Sequence, residues 1–501
     1  MSIAVRAPFR ARLPRVAVWA VPIAIAGIGF VLRLLVLLRG GGLNGIGAYD
    51  DGVYYAAAAS LVHGRLPYLS FLFIQPPGIV LAAAPFAALG AVAGDPTGFA
   101  VGRIAFELVG GLNAALVFLV LRRYGRIAPV VGGLLYAVLA PAVYAERSIL
   151  LEPIGTLGIL VCLLLLQRAG SDRLVLLAGV AAGWSMDVKI WFVVPVAVIA
   201  LLAVRHRGRF AAGVGIALAA ASGPFLLAAP VTVVREVLLD QLGRPRTPGR
   251  GTRLAGMVGA RAIAGLDLRT VTVVLVVLAL TAAAMAATVP GARVFPGLLA
   301  ADAAVLIASP SWFEHYGDLT AAPLALCVGL GVQQALALVP PRPVRLAVAA
   351  TVAAAVVVGG VALDHRMRSG TAVPAALTAA VARTSGCVTS DDPTVLASTD
   401  VLSRDLTDPR CKLWPDVTGW TYDAAADRFS SGAAVPRQDN PRWQRMVLSY
   451  LESGRATIAV RPATGLSGPT RSELDEGRPI STDGHFVLRS ADRDGPAGSR
   501  T

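Results

Sequence analysis

Long apolar stretches separated by short charged loops dominate the first 363 residues. A bilayer-crossing helix needs roughly 20 mostly apolar residues. Eleven segments fit that pattern: 16–38, 99–121, 127–145, 149–167, 174–189, 190–204, 210–229, 271–289, 294–309, 318–338 and 344–363. From about 364 the composition turns polar, rich in Asp, Arg, Ser, Thr and Pro, and no further spanning segment occurs. Short β-branched runs at 387–389 and 457–460 predict strands, and 425–428 and 443–451 predict helices. The expected fold is an all-α polytopic membrane domain over 1–363, followed by a small α/β domain over 364–490 and a disordered tail over 491–501.

Basic loops orient the spans, because Lys and Arg concentrate on the cytoplasmic side. Arg6, Arg10, Arg12 and Arg15 place the N-terminus inside. The first span is long and lacks an obvious cleavage site, so it reads as an anchor. Arg122, Arg123 and Arg126 then fall inside, as do Arg168 and Arg173, Arg205, Arg207 and Arg209, Arg293, and Arg342 and Arg345. The tail domain is thereby placed outside the cytoplasm of a plasma-membrane protein. The alternation holds only if 76–94 does not cross. Pro76, Pro77 and Gly78 open that segment and Pro85 interrupts it, which suits a re-entrant or surface-lying helix. A true second span there would invert every later loop.

Composition agrees with this picture. Of 501 residues, 55% are hydrophobic and only 15% charged, and mean hydropathy is +0.66, values that exclude a soluble enzyme of ordinary composition. The net charge of +14 is what cytoplasmic basic loops produce, and it does not call for nucleic acid. Cys162 and Cys327 lie in apolar spans. Cys387 and Cys411 share the polar tail, where an oxidising compartment favours their pairing over two unrelated thiols.

Candidate chemistry gathers in the loops on one face. The first outer loop, 39–98, opens with Tyr49-Asp50-Asp51-Gly52-Val53-Tyr54-Tyr55. One aspartate is expected to cap a helix there, which leaves the other for chemistry. The helix over 52–64 looks able to lie along the membrane surface. Arg65 and an aromatic, proline-punctuated stretch through Gln75 follow. Glu146, Arg147 and Glu152 lie between later spans, as do Asp187 and Lys189, for which a mutual ion pair is the plain structural reading. Trp312, Phe313, Glu314, His315 and Tyr316 form another cluster. The loop 230–270 carries seven arginines, among them Arg244, Arg246 and Arg250, whose forked guanidinium groups suit phosphate oxygens. No phosphate-binding P-loop, Cys-x-x-Cys or His-Glu-x-x-His motif occurs. The main charges within the spans are Arg33, Arg103, Glu107 and Asp302, too few for a proton relay.

These motifs resemble those of membrane glycosyltransferases of the C-type fold, and more narrowly the aminoarabinose transferase and protein O-mannosyltransferase group and related actinobacterial enzymes of envelope glycan assembly. Asp50-Asp51-Gly52-Val53-Tyr54, Pro76-Pro77-Gly78, Leu151-Glu152-Pro153 and Glu314-His315-Tyr316 carry the likeness. Gln75 departs from it, because aminoarabinose enzymes typically have Lys before the Pro-Pro pair. The resemblance implies transfer of a hexose or pentose from a polyprenyl-phosphate donor to a cell-envelope glycan, lipid or protein, with Asp50 as general base. It gives Asp51 to acceptor orientation, or to a divalent metal if one is used, and otherwise requires no cofactor. Glu152 falls on the acceptor side, Arg65, Lys189, Arg244 and Arg246 on the donor phosphate, and Tyr54, Gln75, His315 and Tyr316 on the donor pocket. The other readings are a transporter or flippase of lipid-linked sugars, or a non-enzymatic envelope scaffold.

Overall fold

A computed structural model describes residues 15–491 except 169, 203, 205, 243, 245–248, 264, 339–341, 365–366, 368–369, 423–434, 461–464 and 485. Every segment expected to span is helical. The first helices are α1 (Arg15–Leu38), α2 (Tyr49–Val62), α3 (Gly78–Ala93), α4 (Asp95–Leu121), α5 (Ile127–Val138), α6 (Ala140–Glu146), α7 (Leu151–Gln167), α8 (Asp172–Val188), α9 (Val193–Leu202) and α10 (Arg207–Ala221). Long apolar helices follow at Leu268–Ala287, Val294–Ala308, Ala321–Ala337 and Arg342–Asp364.

Among the described residues, four helices are long and apolar enough on their own to cross a membrane. The 127–145 segment is two helices, α5 and α6, bent by 56° around Leu139. The segment over 210–229 is likewise interrupted, by Ser222. Leu268–Ala287 shows how these helices meet their surroundings. Val273, Val277 and Leu280 on it are 55%, 54% and 64% exposed, a face stable only against lipid tails.

Without a hydrophobic drive between helices in lipid, close backbone packing holds them together. Gly179 and Gly183 of α8 allow this against α10. A side chain at Gly179 would begin 3.1 Å from the Cα of Gly213, and one at Gly183 2.9 Å from the Cα of Val214. Two buried ion pairs tie down the arginines read within the spans. Arg33 holds Glu146, its Nε 3.1 Å from the carboxylate, while Asn113 and Tyr136 donate to the other carboxylate oxygen at 2.7 and 2.8 Å. Arg103 holds Asp51 at 2.6 Å.

The tail folds into a four-stranded sheet of β1 (Val388–Ser390), β2 (Ala456–Ile458), β3 (Pro479–Asp483) and β4 (Phe486–Ser490), in the order β1-β2-β4-β3. β1 and β2 run parallel, and the other pairs antiparallel. The helix expected at 443–451 runs over Pro441–Leu451, and 425–428 and 492–501 lie outside the described residues. Cys387 and Cys411 form a disulfide with their Cα atoms 5.3 Å apart.

The tail domain is docked on the first outer loop. Residues of α2, α3 and α4, including Tyr55, Ile79 and Phe99, share one buried core with Val395, Leu402, Ile458 and Leu488. This corrects the reading of a surface-lying helix at 52–64, because α2 is buried from Asp51 through Ser60. Gly52 makes the docking possible. A Cβ there would sit 2.6 Å from the backbone nitrogen of Thr394, in the tail helix Pro393–Ser398. Around the same contact Ser403 donates to Asp95 from its backbone nitrogen and its hydroxyl, at 2.7 Å each.

Candidate active site

Asp50 and Asp51 enter the first turn of α2 behind Ala48, which is extended and makes no side-chain cap. Neither aspartate caps the helix, contrary to expectation. Adjacent helical residues point ~100° apart, and the pair divides accordingly. Asp51 turns inward to Arg103 and is fully buried. Asp50 turns into a cavity of about 480 Å³ and keeps 35% of its side chain exposed.

Distant stretches of chain gather around Asp50 there. His315 presents Nε2 3.6 Å from its carboxylate and lies parallel to the Phe313 ring. Tyr316 packs at right angles to His315 and accepts a 2.8 Å hydrogen bond from the buried Arg244 guanidinium. Lys189 lies 4.1 Å from the centre of the Tyr316 ring and 4.6 Å from that of Trp191, and pairs with Glu152 at 2.5 Å. The expected Asp187–Lys189 pair is therefore absent, and Asp187 accepts from Ser222 instead. A π-helical turn over Arg235–Leu239 aims Glu236 at the backbone N–H of Phe73, at 2.8 Å, and so fixes the cavity wall ahead of Gln75.

The tail domain completes the cavity with Asp416, Thr418, Tyr422 and Arg437. Nothing in their local sequence marked these residues. Tyr422 is flanked by two cations, Arg244 at 4.7 Å and Arg437 at 5.6 Å from the ring centre. Asp416 accepts from the Tyr49 hydroxyl at 3.2 Å and from the backbone of Gly419 at 2.8 Å.

Burial raises the Asp50 carboxyl to about 7, with the Asp416 carboxylate adding to the rise and the Arg244 guanidinium opposing it. A carboxylate of that basicity beside a buried cation can take a proton near neutral pH while the cation holds an anion.

Of the residues singled out by sequence, Asp50, Tyr54, Gln75, Arg244 and His315 line the cavity. Glu152, Lys189 and Tyr316 stand behind it in the contacts just described. Arg65 does not reach it, because its guanidinium is spent on the backbone carbonyls of Leu406, Asp408 and Cys411. Arg250 is exposed on the helix Arg250–Met257, and Arg246 lies outside the described residues. Asp51, expected to hold a metal if one is used, has Oδ2 engaged by Arg103 and does not line the cavity. Among the described residues, one set of three His, Cys, Asp or Glu side chains has ligand spacing, Cys387, Asp408 and Cys411. Its sulfurs are already joined to each other, so these residues do not fit a resident metal.

No family model matches the chain, and no curated protein sequence does. Solved structures do. The chain superposes on ArnT from Cupriavidus metallidurans in the apo state with a TM-score of 0.60 at 14% identity, covering 96% of this chain and 99% of that one. Against ArnT bound to undecaprenyl phosphate the TM-score is 0.54, with the same identity and coverage. The oligosaccharyltransferase AglB from Archaeoglobus fulgidus, in complex with an inhibitory peptide and a dolichol-phosphate, matches at 0.53 and 13% identity, over 96% of this chain and 75% of that one. The helices are thus arranged as in these structures, and the chain has the C-type fold of membrane glycosyltransferases.

Proposed function

We propose that the protein is an integral-membrane glycosyltransferase that moves a sugar from a polyprenyl-phosphate donor to a cell-envelope acceptor, with Asp50 as general base. The observation that carries this reading is Asp50 and Arg244 on the walls of one cavity, the first half-exposed and the second buried. A volume of about 480 Å³ lies within the range that holds a small ligand such as a sugar and its phosphate. The fold shared with a protein bound to undecaprenyl phosphate and one bound to dolichol-phosphate supports a lipid-phosphate donor.

In the reaction the acceptor hydroxyl gives its proton to the Asp50 carboxylate as its oxygen bonds to the anomeric carbon. The bond from that carbon to the phosphate oxygen breaks, and the electron pair leaves with the phosphate. Arg244 offsets the charge that develops there. Tyr316 orients Arg244 through their 2.8 Å hydrogen bond. Lys189, neutralised by Glu152, fixes the Tyr316 ring from the other side. Eleven spans, a cytoplasmic N-terminus and an extracytoplasmic tail domain in the plasma membrane complete the reading. A carrier of lipid-linked sugars needs its polar site near the bilayer midplane, whereas this cavity opens at one end of the helices, beside the tail domain.

The test is incubation of the purified protein with a panel of radiolabelled polyprenyl-phosphate sugars and a cell-envelope extract. Transfer of label from at least one lipid-linked donor is expected. Turnover of soluble nucleotide sugars with none of the lipid-linked ones overturns the proposal.

A further inference from the structure

A second cavity, of about 350 Å³, lies where α4, α7 and α9 end and the helix Val294–Ala308 begins. It is remote from Asp50. From Arg103, which holds Asp51, to the end of α4 is ~27 Å of helix rise, close to the thickness of a hydrocarbon core. One part of its wall is apolar, with Leu163, Leu166, Leu202 and Phe295, and Leu202 is 59% exposed at its edge. The rest carries Arg123 and Arg293, and no carboxylate among the described residues lines it.

The two arginines sit on loops tied to each other. The Tyr124 hydroxyl donates to the Gly291 carbonyl at 2.9 Å, and the Tyr124 ring packs edge-on against Phe295. The Arg123 guanidinium lies over the Tyr124 ring at 5.1 Å. Gly291 has a φ of +77°, a turn that a side chain would strain, and Arg123 Nη2 lies 3.5 Å from where such a side chain would begin. Neither arginine has an ion-pair partner among the described residues. Two cations held together without an acid, at the edge of an apolar recess open toward the lipid-facing surface, match a ligand with an anionic head and an apolar tail.

We infer that this cavity binds a phosphate-headed lipid from the leaflet opposite the reaction cavity. Arg123 and Arg293 grip the phosphate, and the first carbons of the tail lie along Leu166 and Leu202. The basic loops place this end on the cytoplasmic side, where anionic lipids are concentrated. A free anion would make the same arginine contacts, but the apolar wall would give it nothing.

The test uses the full-length protein in nanodiscs of neutral phosphatidylcholine, with phosphatidic acid titrated in and bound lipid counted by native mass spectrometry. Each lost charge-assisted contact weakens binding by on the order of tenfold. Arg123→Gln/Arg293→Gln is therefore expected to bind phosphatidic acid on the order of a hundredfold more weakly than the wild type. Leu166→Trp, which fills the recess and leaves both arginines in place, is expected to weaken it as well. Undiminished binding by the double arginine variant overturns the proposal. So does inorganic phosphate displacing the lipid at equal concentration, because the site would then be one for a soluble anion. The assay reads lipid binding and not sugar transfer, so its failure leaves the Asp50 proposal untouched.

Discussion

Asp51 offers a sharp test of the division between the paired aspartates. Both Asp51 and Arg103 are fully buried, and Arg103 Nη2 lies 2.6 Å from Asp51 Oδ2. The same guanidinium donates to the carbonyls of Leu43 and Gly45 at 2.8 and 2.9 Å and lies over Phe99 at 4.1 Å. It therefore staples the end of the α1–α2 loop to α4. Removing one member of a buried pair strands the other charge, which costs about 3–5 kcal/mol. Asp51→Ala and Arg103→Ala should each lose stability of that order, and the double variant should lose less than the sum, because no lone charge remains. Unfolding of purified protein in mixed micelles measures these differences. Transfer by the surviving folded fraction should persist in Asp51→Ala at a reduced rate, since displacement of α2 moves Asp50. The reasoning is refuted if Asp51→Ala unfolds like the wild type yet abolishes transfer, which would make Asp51 a chemical participant.

Four further outcomes follow from the geometry. The Asp50 carboxyl is raised to about 7 and only its ionised form accepts a proton, so the pH–rate profile should climb through about pH 7 and level off above it. Asp416→Asn removes a negative neighbour and should move that rise to lower pH. Gly52→Ala pushes a methyl group against Thr394, and overpacking of this kind costs about 1–3 kcal/mol, so the tail domain should become more sensitive to limited proteolysis. Replacing Cys387 and Cys411 by Ser opens a loop closed across 24 residues, with an expected loss of about 3 kcal/mol in the stability of the tail domain by the chain-entropy relation, measured by thermal unfolding with and without reductant.

The membrane domain was legible because its signals are local. Apolar length marks a helix wherever it occurs, and all eleven segments are helical. Breaks were harder to read. Leu139 and Ser222 carry no breaker chemistry of their own, and although Pro141 and Pro224 follow them, a proline is no sure sign of a break, since Pro22 sits inside the unbroken α1. At the cavity, acids and aromatics beside span ends pointed to Asp50 and His315, and the arginine-rich loop 230–270 pointed to Arg244. The two aspartates could not be told apart from spacing alone, because their difference is set by Arg103, 52 residues away. Arg65 looked like a phosphate ligand because a free cation and one spent on carbonyl groups read alike in sequence. Asp416, Tyr422 and Arg437 lay beyond reach for the opposite reason. Tyr49 and Asp416 meet across 367 positions, and the tail shows an ordinary polar composition until it docks.

The central claim is that Asp50 takes the acceptor proton, and single-turnover transfer from a polyprenyl-phosphate sugar by Asp50→Asn tests it most directly. The account predicts a rate lowered on the order of 10²–10⁴-fold, with donor affinity and thermal stability near those of the wild type. A variant that transfers sugar at the wild-type rate would contradict it.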